Sequence, residues 1–188
     1  LLAIDGGKVL NMRIGCGSLE SKTPMLCSDI NRMDVNPQWI MPRSIVRKSI
    51  IPRLGNPAYF KQHRYFIRER ATGDILPPSW GLRYGLESGD YLAIQEGGEG
   101  NALGRIIFRF NNDFSIYLHD TSSKNVFSRN DRDVSHGCIR VERPFDLAVF
   151  LLGKGHDATI RKIHYSMHAD VSPLGKRKRD LTEDEAQV

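Results

Sequence analysis

Ser135-His136-Gly137-Cys138-Ile139-Arg140 places a thiol two residues after an imidazole, on a turn that a glycine opens. A cysteine attacks as the thiolate, so it needs a neighbouring base or a positive environment. Histidine is the usual base, because its proton affinity lies near neutrality. Gly137 lets the backbone come close to a substrate carbonyl, so N–H groups around Gly137 and Cys138 can hold an oxyanion. A second imidazole, His119, ends the stretch Ile116-Tyr117-Leu118-His119 upstream. These residue types in this order point to a cysteine acyltransferase.

Residues 120–134, fifteen in all, separate His119 from Ser135 in one polar loop. With Ser115–His119 read as a strand, a strand end and a loop end can meet while a sheet holds both. His136 is the alternative base, since residues i and i+2 of an extended segment share a face. Arg140 has two readings: bidentate capture of a substrate carboxylate, or bracing of the loop through backbone carbonyls. Ser122 and Ser135 are hydrogen-bond candidates, while Trp80, Tyr84 and Tyr117 are candidate pocket walls. A tyrosine-phosphatase loop would need its arginine one residue beyond Arg143, where Pro144 stands. A zinc set of His136, Cys138, His164 and His168 lacks any Cys-x-x-Cys pair. Gly97-Gly98-Glu99-Gly100 lacks the following helix of a phosphate loop.

At these residues the chain resembles the L,D-transpeptidases with a YkuD domain. Their signature is a histidine, a spacer of about this length, Ser/Thr-His-Gly-Cys, an apolar residue, then Arg or Asn. Asn101-Ala102-Leu103-Gly104, Tyr117-Leu118-His119-Asp120-Thr121 and Lys22-Thr23-Pro24 extend the likeness, which covers roughly residues 5–153. Residues from about 40 to 90 resemble the insertion that caps the site in the YcbB-like subclass.

The resemblance implies a mainly β fold, a sandwich or flattened barrel with a partly helical capping insertion. It implies Cys138 as nucleophile, His119 as general base, and His136 with Gly137 shaping the turn. No cofactor or metal is implied. The substrate would be the tetrapeptide stem of bacterial peptidoglycan, in wall biogenesis and cell shape. A thioester would form at the third residue's L-centre carbonyl, terminal D-alanine would leave, and another stem's amine would give a 3→3 cross-link. An L,D-carboxypeptidase, or attachment of a protein lysine to the stem, are the alternatives. Carbapenem-class beta-lactams would acylate the cysteine. The implied location is the cell envelope, periplasmic or extracytoplasmic.

The bulk properties fit this picture. The chain has 188 residues, 40% hydrophobic and 26% charged, enough for one domain with an adequate core. We assign residues 1–170 to that domain and 171–188 to a polar, flexible tail. Net charge is +5, but the basic residues are dispersed and carry no nucleic-acid motif; the cluster Lys176-Arg177-Lys178-Arg179 reads as solvated tail. No apolar run approaches the roughly 20 residues of a membrane span. The opening Leu1-Leu2-Ala3 carries no signal pattern and reads as a trimmed piece. Cys16 and Cys27 could pair across a hairpin or serve as small apolar residues.

Strands are expected at Lys8–Gly15, Met25–Asp29, Tyr65–Ile67, Tyr91–Gln95, Arg105–Phe110 and Ser115–His119. Ser44 is a candidate cap for a short helix that Pro52 interrupts, and Asn56-Pro57 starts another. Ala71–Gly89 reads as irregular loop. Pro144 opens a packing helix that Gly153 ends, and beyond Lys154 the pattern fades.

Overall fold

Ile30–Val35 (β4) and Ile106–Phe110 (β9) pair antiparallel, and Met33, Val35, Ile106 and Phe108 turn to the same side. Period-two alternation gives each strand one dry and one wet side. In this computed structural model, which describes residues 1–169, the dry sides set the architecture. The first sheet runs β11-β3-β12-β10-β9-β4. Its other members are β3 (Ile14–Gly17), β10 (Leu118–His119), β11 (Asp133–Ser135) and β12 (Ile139–Val141). β10 lies antiparallel to β9 but parallel to β12.

One face of this sheet presents Met33, Val35, Ile106, Phe108, Leu118, Ile139, Ile14 and Val141 to a single core. Two helices complete that core. Pro144–Leu152 (α4) supplies Leu147 and Ala148, and Asp157–His168 (α5) supplies Ile163 and Met167. Phe108 and Val141 are fully buried, each burial contributing roughly 1.5–3 kcal/mol. A hairpin of Leu2–Asp5 (β1) and Lys8–Asn11 (β2) adds Leu10 at the margin.

Residues 39–95 form a second, partly helical unit. Its sheet is β5 (Trp39–Ile40), β8 (Tyr91–Gln95), β6 (Tyr65–Glu69) and β7 (Ile75–Leu76), in that spatial order. Around it wind α1 (Arg43–Ile45), a π-helical turn at Val46–Ile50, a 3₁₀ turn at Ile51–Arg53, α2 (Pro57–His63) and α3 (Arg83–Ser88). Ile50, Leu54, Ile67, Phe60 and Leu86 make its separate core. The units meet through buried Asn101, whose Nδ2 donates to Glu96 O (2.7 Å) and Pro37 O (3.3 Å).

The chain is therefore mainly β with several sheets, as expected, and several local expectations hold. Asn56 caps α2 by accepting from Tyr59 N–H at 3.1 Å, and Arg64, in the left-handed region, ends it. Others need correction. Pro42 rather than Ser44 precedes α1, with no side-chain cap. Met25–Asp29 forms no strand; the strand begins at Ile30. Lys8–Gly15 is two strands that belong to different sheets. Ala71–Gly89 holds β7 and α3, too short for periodicity to register. Beyond Lys154 lies α5, hidden because only the narrow stripe Ile160, Ile163 and Met167 faces inward. Cys16, Cys27 and Cys138 are all free thiols. The proposed tail, 171–188, lies outside the described residues. Among the described residues no helix is long and apolar enough to cross a membrane.

Phe108→Ala should destabilise the domain by about 3–5 kcal/mol, read as a lower urea midpoint. A loss under 1 kcal/mol would place the structural centre elsewhere.

Candidate active site

The face of the first sheet turned away from the Phe108 core carries the candidate site, and it is itself largely covered: Ile107 and His119 on it are buried. Backbone pairings run Asp34–Ile107–His119–Arg140–Gly15 across five strands. Directly paired residues point to the same side of a sheet. One level along, Arg32 pairs with Arg109, and Tyr117 O accepts from Ile139 N–H at 3.1 Å, which continues that row to Tyr117 and Cys138. Tyr117, His119, Cys138 and Arg140 thus occupy four corners of one patch on two parallel neighbours. Ideal sheet spacing sets the His119–Cys138 diagonal at about 8 Å between Cα atoms, within reach of both side chains.

Cys138 sits in a bend between β11 and β12. Gly137 turns the chain at φ +116°, a conformation that side chains resist. Two hydroxyls lace the bend. Thr23 Oγ1 accepts from Gly17 N–H and donates to Gly137 O, both at 2.9 Å. Ser135 Oγ accepts from Gly137 N–H (3.1 Å) and donates to Cys138 O (2.6 Å). The Gly137 N–H is therefore used inside the bend, which removes it from the expected oxyanion pair.

His119 is buried at the end of β10, and its Nδ1 faces the Asp120 carbonyl. A ring nitrogen facing a carbonyl carries the proton, so Nε2 is basic in the neutral ring. Burial pushes the imidazole down to about 4, aided by the Arg140 charge and opposed by backbone bonds to Asp120 and Leu103 and by the Asp120 carboxylate. Asp120 is fixed in turn. It accepts from Arg105 N–H (2.8 Å) and Thr121 N–H (2.7 Å) and pairs with Lys124. Gly104 is required here, since a Cβ would come within 2.4 Å of the Asp120 carboxylate.

Burial pushes the Cys138 thiol up, against the pull of Tyr117 hydrogen bonds and the charges of Arg109 and Arg140. The Tyr117 hydroxyl donates to the sulfur, and burial and that neighbour raise the phenol. Among the described residues the sulfur bonds to Tyr117, with Ser115 O at 4.0 Å, and the imidazole bonds to Asp120 and Leu103. Among the described residues no hydrogen bond joins the sulfur to the imidazole, and burial favours the neutral form of each. Arg140 lies partly buried, its Nε without a hydrogen-bond partner among the described residues.

Cys138, His119, Tyr117, Arg140, Gly137 and Ser135 are thus gathered at one place. Two expected members are not. His136 is exposed: Gly137 breaks the extended geometry on which its alignment with Cys138 depended. Trp80, 59% exposed, lies over Gly55 in the second unit, away from the sulfur's contacts. His164 and His168 stack on α5 at 4.5 Å, and no trio of metal-binding side chains occurs among the described residues. Sequence reasoning treated Tyr117 only as a wall, and missed Arg109, Asp120 and Thr23. The alternation in β9 and at 117–119 was visible; the register joining them was not.

Two comparisons bear on this site. A family model, YkuD, described as the L,D-transpeptidase catalytic domain, matches residues 1–161. A protein of Haemophilus influenzae named "Putative L,D-transpeptidase" is 29% identical over 159 residues, 84% of this chain and 32% of its own length. The chain thus spans about a third of that relative.

Burial of neutral His119 makes stability pH-dependent. The unfolded imidazole takes its proton near 6.5 and the folded one near 4. The unfolded state binds more protons between these values, so stability falls as pH drops from about 6.5 to 4, by on the order of 3 kcal/mol. His119→Gln should remove that part of the slope in urea titrations; an unchanged slope would place the imidazole in solvent.

Proposed function

Because the chain belongs to the YkuD family of L,D-transpeptidase catalytic domains across residues 1–161, we propose that it cross-links peptidoglycan stems through a Cys138 thioester. The observation that carries this is the shared patch of Tyr117, His119, Cys138 and Arg140 on parallel β10 and β12.

The Cys138 sulfur attacks the carbonyl of the third stem residue as the thiol proton passes to His119 Nε2. The Asp120 carbonyl holds the ring so that this nitrogen is the acceptor. The C–N bond to the terminal D-alanine breaks, and the leaving amine takes the proton from His119. An amine of a second stem then attacks the thioester, gives its proton to His119, and the thiol is restored. With Gly137 N–H engaged, the Cys138 N–H and the Tyr117 hydroxyl are the donors for the oxyanion. Arg140 receives the carboxylate of the departing residue. Because both resting partners are neutral, proton transfer accompanies attack rather than preceding it.

The segment from about 40 to 90 is read as the cap over the donor stem, and the carbapenem class as covalent inhibitors of Cys138. The location is read as extracytoplasmic, where such stems occur. Hydrolysis of the thioester by water, giving an L,D-carboxypeptidase, is the second reading. Burial of His119 favours transfer, since keeping water from the base slows the competing hydrolysis.

Cys138→Ala should abolish acyl-enzyme formation by stem or carbapenem, read by intact mass. His119→Ala should slow it by on the order of 10² to 10⁴, while His136→Ala changes it little. Near-normal acylation in His119→Ala would overturn the base assignment. Product analysis with and without an acceptor amine separates cross-linking from trimming.

A further inference from the structure

The site face of the sheet holds one more charged group that the chemistry above leaves unused. Arg109 on β9 stands two strands from Cys138, at the level of Tyr117. Its guanidinium carbon lies 5.4 Å from the centre of the Tyr117 ring, whose hydroxyl reaches the sulfur. Asp34 on β4 holds the Nε edge of Arg109 and also pairs with Arg32 at 2.9 Å. Two guanidiniums against one carboxylate leave one positive charge over. Arg109 keeps about a third of its side chain exposed. Among the described residues, Asp34 is its carboxylate partner, which leaves the Nη edge of the fork for a second one.

We propose that Arg109 is the specificity determinant of this site, binding a carboxylate at the end of the side chain of the donor's third residue. This rests on the acyl-transfer reading above. The distances suit it. Two strand spacings separate the Cys138 and Arg109 backbones by about 10 Å. A third-residue side chain of four or five carbons extends roughly 6 Å from the scissile carbonyl, and the arginine covers the rest over Tyr117. Arg140 lies on the opposite side, two residues along β12 beside His119, so the two cations read different carboxylates. A third residue ending in an amine alone would bring an ammonium toward Arg109 and Arg32 with nothing to offset it. Discrimination arises from that repulsion as much as from the attraction. Asp34 sets the arginine in place before substrate arrives, so little side-chain entropy is lost on binding.

The test uses three tetrapeptide donors that differ only at the third side chain. One carries 2,6-diaminopimelate with its side-chain carboxylate free, one the same residue as the side-chain amide, and one lysine. Release of terminal D-alanine gives kcat/KM for each. The wild type should prefer the free carboxylate over both others by tenfold or more, mainly through KM. Arg109→Gln should bring the ratios toward one, and Arg109→Lys should keep an intermediate preference. Equal kcat/KM for the free acid and the amide in the wild type would overturn the proposal while leaving acyl transfer intact. A uniform drop for all three donors in Arg109→Gln would also overturn it, showing that Arg109 acts only by supporting Tyr117. Wild-type protein that releases D-alanine from none of them would overturn the acyl-transfer reading and this inference with it.

Discussion

The parallel pairing of β10 with β12 is the constraint on which the site depends. It sets Leu118 against Ile139 and His119 against Arg140, so both strands send the same parity of residue to each face. The dry face is over-determined: Leu118 and Ile139 border a core centred on Phe108 and Val141. A slip of one residue would take Leu118 and Ile139 out of that core and set His119 and Arg140 into it, so hydrophobic burial selects the register. The placement of His119 and Arg140 side by side on the other face comes with it. Residues 120–134, which parallel neighbours need as a crossover, serve as the spacer between the two halves of the site.

The same burial that positions the pair also sets its electrostatics. Taking His119 and Cys138 out of water penalises the charged form of each, lowering the imidazole and raising the thiol. The site rests as two neutral groups, unlike an exposed thiolate that would react with any electrophile. Arg109 and Arg140 offset part of that penalty at the sulfur. Tyr117 does so most directly, by a hydrogen bond that a substrate carbonyl can take over.

The amino-acid sequence made the chemistry more legible than the architecture. Ser135 to Arg140 and His119 carry residue types that few other arrangements use, and the matched family agrees with the resemblance drawn from them. The strands at 65–69, 91–95 and 106–110 were legible from alternation and aromatic content. Pairing between strands was not, because register depends on contacts distant in sequence. Hence Tyr117 looked like a wall rather than a partner of the sulfur, and Arg109 like one more dispersed cation. His136 looked aligned with Cys138 until the positive φ of Gly137 turned it outward. Helix α5 escaped notice because the histidines and lysine on its outer face dilute a narrow apolar stripe.

The central claim is the proposed pairing of Cys138 with His119, as neutral groups, on the sheet face turned away from the main core. Thiolate absorbance in the near ultraviolet, titrated in a Cys16→Ser/Cys27→Ser background against the same protein with Cys138→Ala, reads it directly. The account predicts no thiolate from Cys138 between pH 5 and about 8, with the signal rising only above the ordinary thiol range. A full thiolate signal below about pH 6 would mean a preformed ion pair and would contradict it.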